Sequence, residues 1–230
     1  MKRKMLRLDT VIVLAFFYWG DRMNSFETDI CRAVFSVKFA IAVILQVTVL
    51  SSGGFGSTLY LMCIPLICTL PYACGWLEEY KHGFVKFSLS RTTVRGYVLG
   101  KFLACGISGG LAEALGSWIY VLICGDGKGS CEYSIIFLSA MLWASVAATL
   151  AALSNSKYIA YGGSFVIYYF LVILCERYWM GLYCLHPYEW IAPTHLWVFG
   201  TTGIVLMLTG LITAVGIIYY TVIKRRIERV

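Results

Sequence analysis

The stretch Ile135–Leu153, IIFLSAMLWASVAATLAAL, decides the fold class, because it carries no charged residue over the length of a membrane-spanning helix. An α-helix needs about 20 predominantly apolar residues to cross a hydrocarbon core that is about 30 Å thick. Across the chain, 60% of the residues are hydrophobic and 13% are charged, whereas charged residues make up about a quarter of a soluble domain. We therefore predict an all-α integral membrane protein.

Similar apolar blocks lie on both sides of this stretch, and together they predict six transmembrane helices in a single domain. The connections between the first and second blocks and between the fourth and fifth are very short, so each of these pairs should be antiparallel neighbours. The six predicted spans are Phe39–Phe55, Leu59–Trp76, Val98–Cys124, Ile135–Leu153, Ile159–Cys175 and Val198–Ile223.

The distribution of cations predicts the orientation. If the N-terminus lies in the cytoplasm, every Lys and Arg except Lys128 and Arg177 falls in an inner segment or at the inner end of a span. This is the asymmetry of the positive-inside rule, and it places both termini on the cytoplasmic side of the cell membrane. The net charge of +7 then follows from topology and from attraction to anionic inner-leaflet lipid. It therefore does not call for a nucleic-acid partner.

Residues 1–22 are an uncertain N-terminal extension, and a single transmembrane domain is predicted for residues 23–230. The apolar run Val11–Trp19 is too short to span, and no small-x-small cleavage site follows it as in a signal peptide. We expect an interfacial segment or an alternative start. The codons for Trp19-Gly20-Asp21 would resemble a purine-rich ribosome-binding site, so we hypothesise that translation begins at Met23.

The segment Ser25–Lys38 is predicted to form an amphipathic helix at the inner membrane interface, before the first span. A simple cytoplasmic extension of that span is the alternative. Helical spacing places four residues on an apolar side: Phe26, Ile30, Ala33 and Val37. A polar stripe lies beside them: Asp29, Arg32 and Ser36.

A charged insert separates the second and third spans. From Pro71 to Lys101 the sequence reads PYACGWLEEYKHGFVKFSLSRTTVRGYVLGK. The part from about residue 77 to 96 is too polar to lie in lipid and too patterned for a linker, so it is predicted to be a cytoplasmic docking element. Its candidate residues are Glu78, Glu79, Gly83, Lys86 and Arg91.

Glu113 is the clearest ionisable residue inside a predicted span, and such residues are costly and often functional. It either faces a pathway or a contact between subunits, or it makes a structural hydrogen bond or is protonated. Nearby, Gly106 and Gly110 have the GxxxG spacing that permits close helix approach. We assign these three residues to a pathway or to a subunit interface.

The segment from Tyr178 to Trp197 is rich in aromatic residues, which concentrate at membrane interfaces, and it is broken by prolines. We predict short outer helices that close an outer gate, with Trp179, Pro187 and Trp190 as candidate residues. In the alternative, a passive interfacial belt, Glu189 would be solvated.

Taken in order, these features resemble the membrane subunit of ABC transporters of the type-2 (ABC-2) permease family over about residues 24–230. Unlike some members, the chain has almost no outer loop between the first two spans. The further residues that carry the resemblance are Ile64-Pro65, Leu70-Pro71-Tyr72, Ser90-Arg91, Tyr97, Gly100-Lys101, Ser154-Asn155-Ser156-Lys157-Tyr158, Arg177 to His195 and Lys224-Arg225-Arg226.

The resemblance implies that the docking element holds a coupling helix that sits in a groove of a separate ABC ATPase subunit. The chain itself has no GxxxxGK[ST] phosphate loop, so ATP and Mg²⁺ are expected on that partner and no cofactor is expected here. A second permease copy or a related permease would complete the pathway. The implied cargo is a hydrophobic or amphipathic peptide, antibiotic or toxin. The alternatives are lipid or polysaccharide export, and a membrane immunity or scaffold protein that does not transport.

Enzyme functions find little support in the sequence. An intramembrane protease of the prenyl-protease type needs EExxxR, but Gly83 stands where the arginine should be, and His186 and His195 lie near the opposite face. HExxH and CxxC do not occur, so no catalytic or metal-binding residues are assigned. A disulfide between Cys124 and Cys131 is left open.

Overall fold

The computed structural model describes residues 25–89, 92–124, 132–179 and 199–228, together with 181, 183–193, 195 and 197. Within these ranges all regular structure is helical, as predicted. Arg91, Cys131 and the hypothetical start at Met23 lie outside the described residues. The helices are α1 Ser25–Val34, α2 Val37–Gly53, α3 Thr58–Ile67, α4 Gly75–Lys81, α5 Val85–Leu89, α6 Val94–Cys124, α7 Tyr133–Ser154, α8 Lys157–Arg177, a 3₁₀ turn Tyr183–Leu185, α9 Pro187–Ile191 and α10 Gly200–Ile227.

Four of the described helices, α6, α7, α8 and α10, are long and apolar enough to cross a membrane. The pair formed by α1 and α2 passes the same criteria if it is counted as one span bent by 51°. The chain is therefore a multi-pass membrane protein with four or five helices of spanning length in its described part.

The predicted second span is shorter as a helix than the apolar block Leu59–Trp76. The helix α3 ends at Ile67, and turns follow through Cys74 before α4 begins. Pro65 lies inside α3 and has no N–H to bond the carbonyl of Leu61, four residues earlier. Tyr168 of α8 replaces that missing donor, because its hydroxyl donates to the Leu61 oxygen at 2.7 Å. A neighbouring helix thus satisfies the carbonyl that the proline frees.

The helix α1 is shorter than the predicted 25–38. The helix ends at Val34. Ser36 then caps α2, because its Oγ accepts a hydrogen bond from the Phe39 N–H at 3.1 Å. Asp29 and Ala33 are buried, whereas Val37, expected on the apolar side, is 73% exposed. Helical spacing placed Asp29 on the polar stripe of this helix, so its burial was not expected. The physical reason is that Asp29 reaches a buried lysine of α6, described below.

The core lies where α7 packs against α6, α8 and α10. Small residues permit this close packing. Gly109 of α6 is so close to α7 that a Cβ there would lie 2.6 Å from the Ala144 Cβ. The alanines on one face of α7 are all buried, namely Ala144, Ala147, Ala148, Ala151 and Ala152. Helix α2 packs on α6 and encloses the polar groups of the candidate site.

Candidate functional site

A buried lysine, Lys101 of α6, joins three parts of the chain at the predicted inner end of the bundle. Its side chain is 2% exposed. The Nζ atom donates to Asp29 Oδ1 of α1 at 2.6 Å, to Glu79 Oε1 of α4 at 2.5 Å and to the Tyr72 hydroxyl at 2.9 Å. All three donors of the ammonium group are therefore used.

Two tyrosines and an arginine complete this set, which we call the Lys101 cluster. The Tyr72 hydroxyl donates to Asp29 Oδ1 at 2.7 Å, and the Tyr97 hydroxyl donates to Glu79 Oε2 at 2.8 Å. Arg32 Nη1 lies 3.7 Å from Glu79 Oε1. The arginine supplies the second positive charge that two carboxylates require. The Lys101 cluster thus consists of Asp29, Arg32, Tyr72, Glu79, Tyr97 and Lys101.

The backbone permits this arrangement because α1 lies directly on α6. A Cβ at Gly100 would stand 3.6 Å from the Phe26 Cα, which is ordinary contact with the helix backbone. Asp29 lies almost one turn further along α1, which brings its carboxylate to the next residue of α6, Lys101. The cluster therefore fixes α1 and α4 to the first turns of α6.

Glu78, next to the cluster, makes a more exposed set of ion pairs. Its Oε1 lies 2.6 Å from Lys157 Nζ, at the start of α8, and 3.6 Å from Lys38 Nζ, in the first turn of α2. Burial opposes ionisation, but the hydrogen bond from Lys157 and the charges of Lys38 and Lys157 outweigh it. They hold the pKa of the Glu78 carboxyl below its ordinary value of 4.5. Stability from these pairs is present above pH 4.5 and is lost as the pH falls through the lower, folded-state pKa.

The last helix reaches the same corner. Arg226 of α10 donates from Nη2 to the Leu153 carbonyl at 2.7 Å and also bonds Asn155 Oδ1. Its guanidinium carbon lies 5.9 Å from the centre of the Trp76 ring. The inner ends of α7, α8 and α10 are therefore linked to α4 through charged side chains.

The four predicted coupling residues that the structure describes separate into two groups, and the fifth, Arg91, lies outside the described residues. Glu78 and Glu79 point inward to the ion pairs above, whereas Gly83 and Lys86 are exposed. Gly83 has φ +73°, a conformation that glycine adopts without strain, and it turns the chain from α4 into α5. Phe84 and Phe87 are also exposed beside Lys86. An exposed surface with two aromatic rings and a cation thus follows two glutamates that are held by ion pairs to other helices.

Glu113 lies about three turns beyond Lys101 along α6 and is completely buried. Neither of its carboxylate oxygens has a hydrogen-bond partner among the described residues. The amide of Gln46, from α2, lies beside it without a bond of hydrogen-bond geometry. Glu113 is therefore the most costly polar group in the described part of the bundle.

Gly106 and Gly110 do not lie with Glu113 at an open surface. A Cβ at Gly106 would meet Met141 at 2.9 Å, and a Cβ at Gly110 would meet Phe137 at 2.8 Å. Both neighbours belong to α7 of the same chain, so the GxxxG face makes an intramolecular helix contact in this conformation. The assignment of the two glycines to a pathway or to a subunit interface stays a prediction.

The outer aromatic segment forms the short helices that its prolines suggest, a 3₁₀ turn and α9. Pro187 and Trp190 are buried, and Trp179 is half exposed. The Trp190 ring stacks on Trp143 of α7 at 6.3 Å between centroids, and its Nε1 donates to the Cys184 carbonyl at 2.8 Å. The segment is thus anchored in the core through Trp190.

Glu189 is buried rather than solvated, contrary to the expectation for a passive belt. Its Oε2 accepts from the backbone N–H of His195 at 3.1 Å, and its Oε1 lies 3.1 Å from His195 Nδ1. These contacts hold the end of the segment against α9.

Comparison of the chain with known protein families, with curated proteins and with solved structures found no match. Sequence reasoning missed the contact between Asp29 and Lys101, which are 72 residues apart. One signal could have indicated it. Lys101 interrupts the start of an apolar span, where an ionisable residue needs a partner, and Asp29 is the acidic residue of the preceding polar stripe.

Proposed function

We propose that the chain is the membrane-spanning permease subunit of an ATP-driven ABC exporter of the type-2 family. The observation that carries the proposal is the position of Glu79. It lies directly before the exposed turn at Gly83, and its carboxylate is held by Lys101 of α6. A force applied at this turn would therefore pass through a buried ion pair into a long spanning helix and, through Asp29, into α1.

The proposed topology has six passes, with both termini in the cytoplasm of the cell. The second pass consists of the ten-residue helix α3 and the turns through Cys74. The helix α1 is the interfacial helix, and its 51° bend against α2 supports a change of direction at the membrane surface. The strongest support is in the sequence, where all Lys and Arg except Lys128 and Arg177 fall in predicted inner segments or at the inner end of a span.

In the proposed mechanism, the surface formed by Gly83, Phe84, Lys86 and Phe87 docks on the ATPase subunit. Closure of two ATPases around ATP moves this surface, and the Lys101 cluster passes the movement to α1 and α6. ATP can shift the equilibrium between inward- and outward-facing states only by binding one of them more tightly. A second permease would complete the pathway. The outer segment anchored by Trp190 would act at the exit, and the cargo would be a hydrophobic or amphipathic peptide, antibiotic or toxin.

The topology predicts opposite labelling of two cysteines. A Lys86→Cys variant should react with a membrane-impermeant maleimide in inverted vesicles but not in intact cells, because Lys86 is exposed on the proposed inner side. Native Cys124, exposed at the opposite end of α6, is the internal control and should react in intact cells after treatment with a reductant that opens any disulfide to Cys131. Mass spectrometry of the two peptides measures each yield. Labelling of position 86 from outside would refute the topology and with it the docking surface.

A further inference from the structure

Two buried polar side chains meet between α2 and α6 with unmatched hydrogen-bonding groups. Gln46 and Glu113 are both completely buried. Gly116 leaves room for Gln46, because a Cβ there would stand 2.5 Å from the Gln46 Cγ. The Gln46 Nε2 donates to the Ser117 hydroxyl at 3.5 Å. Since Glu113, Gly116 and Ser117 are spaced i, i+3 and i+4, they share one face of α6, and Gln46 lies over that face.

This contact lacks one hydrogen-bond donor. In the described part of the chain, Gln46 Oε1 receives no hydrogen bond, and the two Glu113 oxygens receive none. An ionised carboxylate only accepts hydrogen bonds, so it would add two acceptors and supply no donor for the amide oxygen of Gln46. A protonated carboxyl group has one O–H donor, which is what the amide oxygen of Gln46 requires.

Among the described residues, no cation pairs with Glu113 to favour an ionised group. The titratable side chains that face Glu113 are the thiols of Cys63, from α3, and Cys68, from the turn after it. From α7, the neighbours of this part of α6 are apolar, for example Phe137 and Ala144. None of the ion pairs within the described ranges involves Glu113. An unpaired carboxylate in such a site is strongly disfavoured.

We propose that Gln46, Glu113 and Ser117 form a proton-binding site in the membrane interior. Glu113 holds the proton and donates it to Gln46 Oε1, while Gln46 Nε2 donates to the Ser117 hydroxyl. The site lies between two helices, so separation of α2 from α6 admits water, and Glu113 then releases its proton to that water. A proton bound only in the packed state stabilises that state. Acidic conditions therefore favour the packed helices, and alkaline conditions favour their separation. The site does not depend on the proposed transport function.

Infrared spectroscopy of the full chain in lipid nanodiscs at neutral pH tests the site. The difference between the infrared spectra of the wild type and Glu113→Gln should contain the C=O stretching band of a protonated carboxyl group. Exchange into D₂O should shift this band. The spectrum of Glu113→Gln should lack it entirely. In Gln46→Leu the band should remain but move to higher frequency, because the acceptor has been removed.

Carboxylate bands in place of the protonated band would overturn the proposal, and so would a band that Gln46→Leu does not move. Carboxylate bands that change when Na⁺ replaces K⁺ would identify a cation site instead. If Glu113→Gln fails to fold, the difference between the infrared spectra of Gln46→Leu and the wild type tests the proposal by itself. It should show one carboxyl band lost and a second gained at higher frequency.

Discussion

Replacing Lys101 with methionine should lower the free energy of unfolding by about 3–5 kcal/mol, the typical cost of removing one partner from a buried ion pair. Methionine fills much of the space of the lysine stem but cannot donate to Asp29, Glu79 or Tyr72. Two carboxylates would then share one cation, Arg32, at 3.7 Å from Glu79. Reversible unfolding in mixed micelles of SDS and a mild detergent measures the change.

Lys157→Met is the matched control for this loss. It removes an ion pair of similar length, 2.6 Å to Glu78, but the two side chains are 46% and 40% exposed. Exposed pairs contribute about 0–1 kcal/mol, and Lys38 stays near Glu78. Adding Asp29→Asn to Lys101→Met should recover part of the loss, because it removes one of the uncompensated charges. Equal losses for Lys101→Met and Lys157→Met would show that the Lys101 cluster is not a structural connection.

Gly109→Ala should destabilise the bundle by about 1–3 kcal/mol, the usual cost of overpacking a well-packed core. The added Cβ would stand 2.6 Å from the Ala144 Cβ and 2.6 Å from the carbonyl oxygen of Cys68. Neither neighbour is the end of a flexible side chain, so the helices themselves must move apart. The same unfolding measurement in mixed micelles gives the free-energy change.

Gly162→Ala on α8 should have the opposite effect and raise the free energy of unfolding. Nothing lies within 4 Å of a Cβ at this position, so the substitution only restricts the unfolded chain and favours the helix, by about 0.5–1 kcal/mol. If Gly109→Ala were as mild as Gly162→Ala, the close contact of α6 with α7 and with the turn at Cys68 would be contradicted.

The spanning helices could be predicted because their signal is local. The run Ile135–Leu153 needs no partner to identify it, and α7 covers it from Tyr133 to Ser154. The second span could be located but its shape could not be predicted. From the local sequence, Pro65 would be expected to break the helix. The helix continues through it because Tyr168 bonds the carbonyl of Leu61 that the proline leaves unpaired, and Tyr168 lies 107 residues from Leu61 in the chain.

The polar residues were harder to place because their burial depends on a partner that is distant in sequence. Helical periodicity put Asp29 on a polar stripe, and the run of charges put Glu79 on a docking surface. The structure buries Asp29 because Lys101 is available as a counter-ion across the α1–α6 contact. It turns Glu79 inward for the same reason. Lys86 has no counter-ion among the described residues, and Gly83 and Lys86 lie at the surface as their local sequence suggests.

The proposal that the chain is an ABC permease is tested most directly by purifying it in mild detergent from the membranes of the cells that produce it naturally. Mass spectrometry should find an equimolar polypeptide with a GxxxxGK[ST] phosphate loop, and the preparation should hydrolyse ATP. A Lys86→Glu variant should lose this subunit, whereas Lys224→Glu, on the same side but outside the docking surface, should retain it. An intact, folded chain that purifies without any nucleotide-binding polypeptide would contradict the proposal.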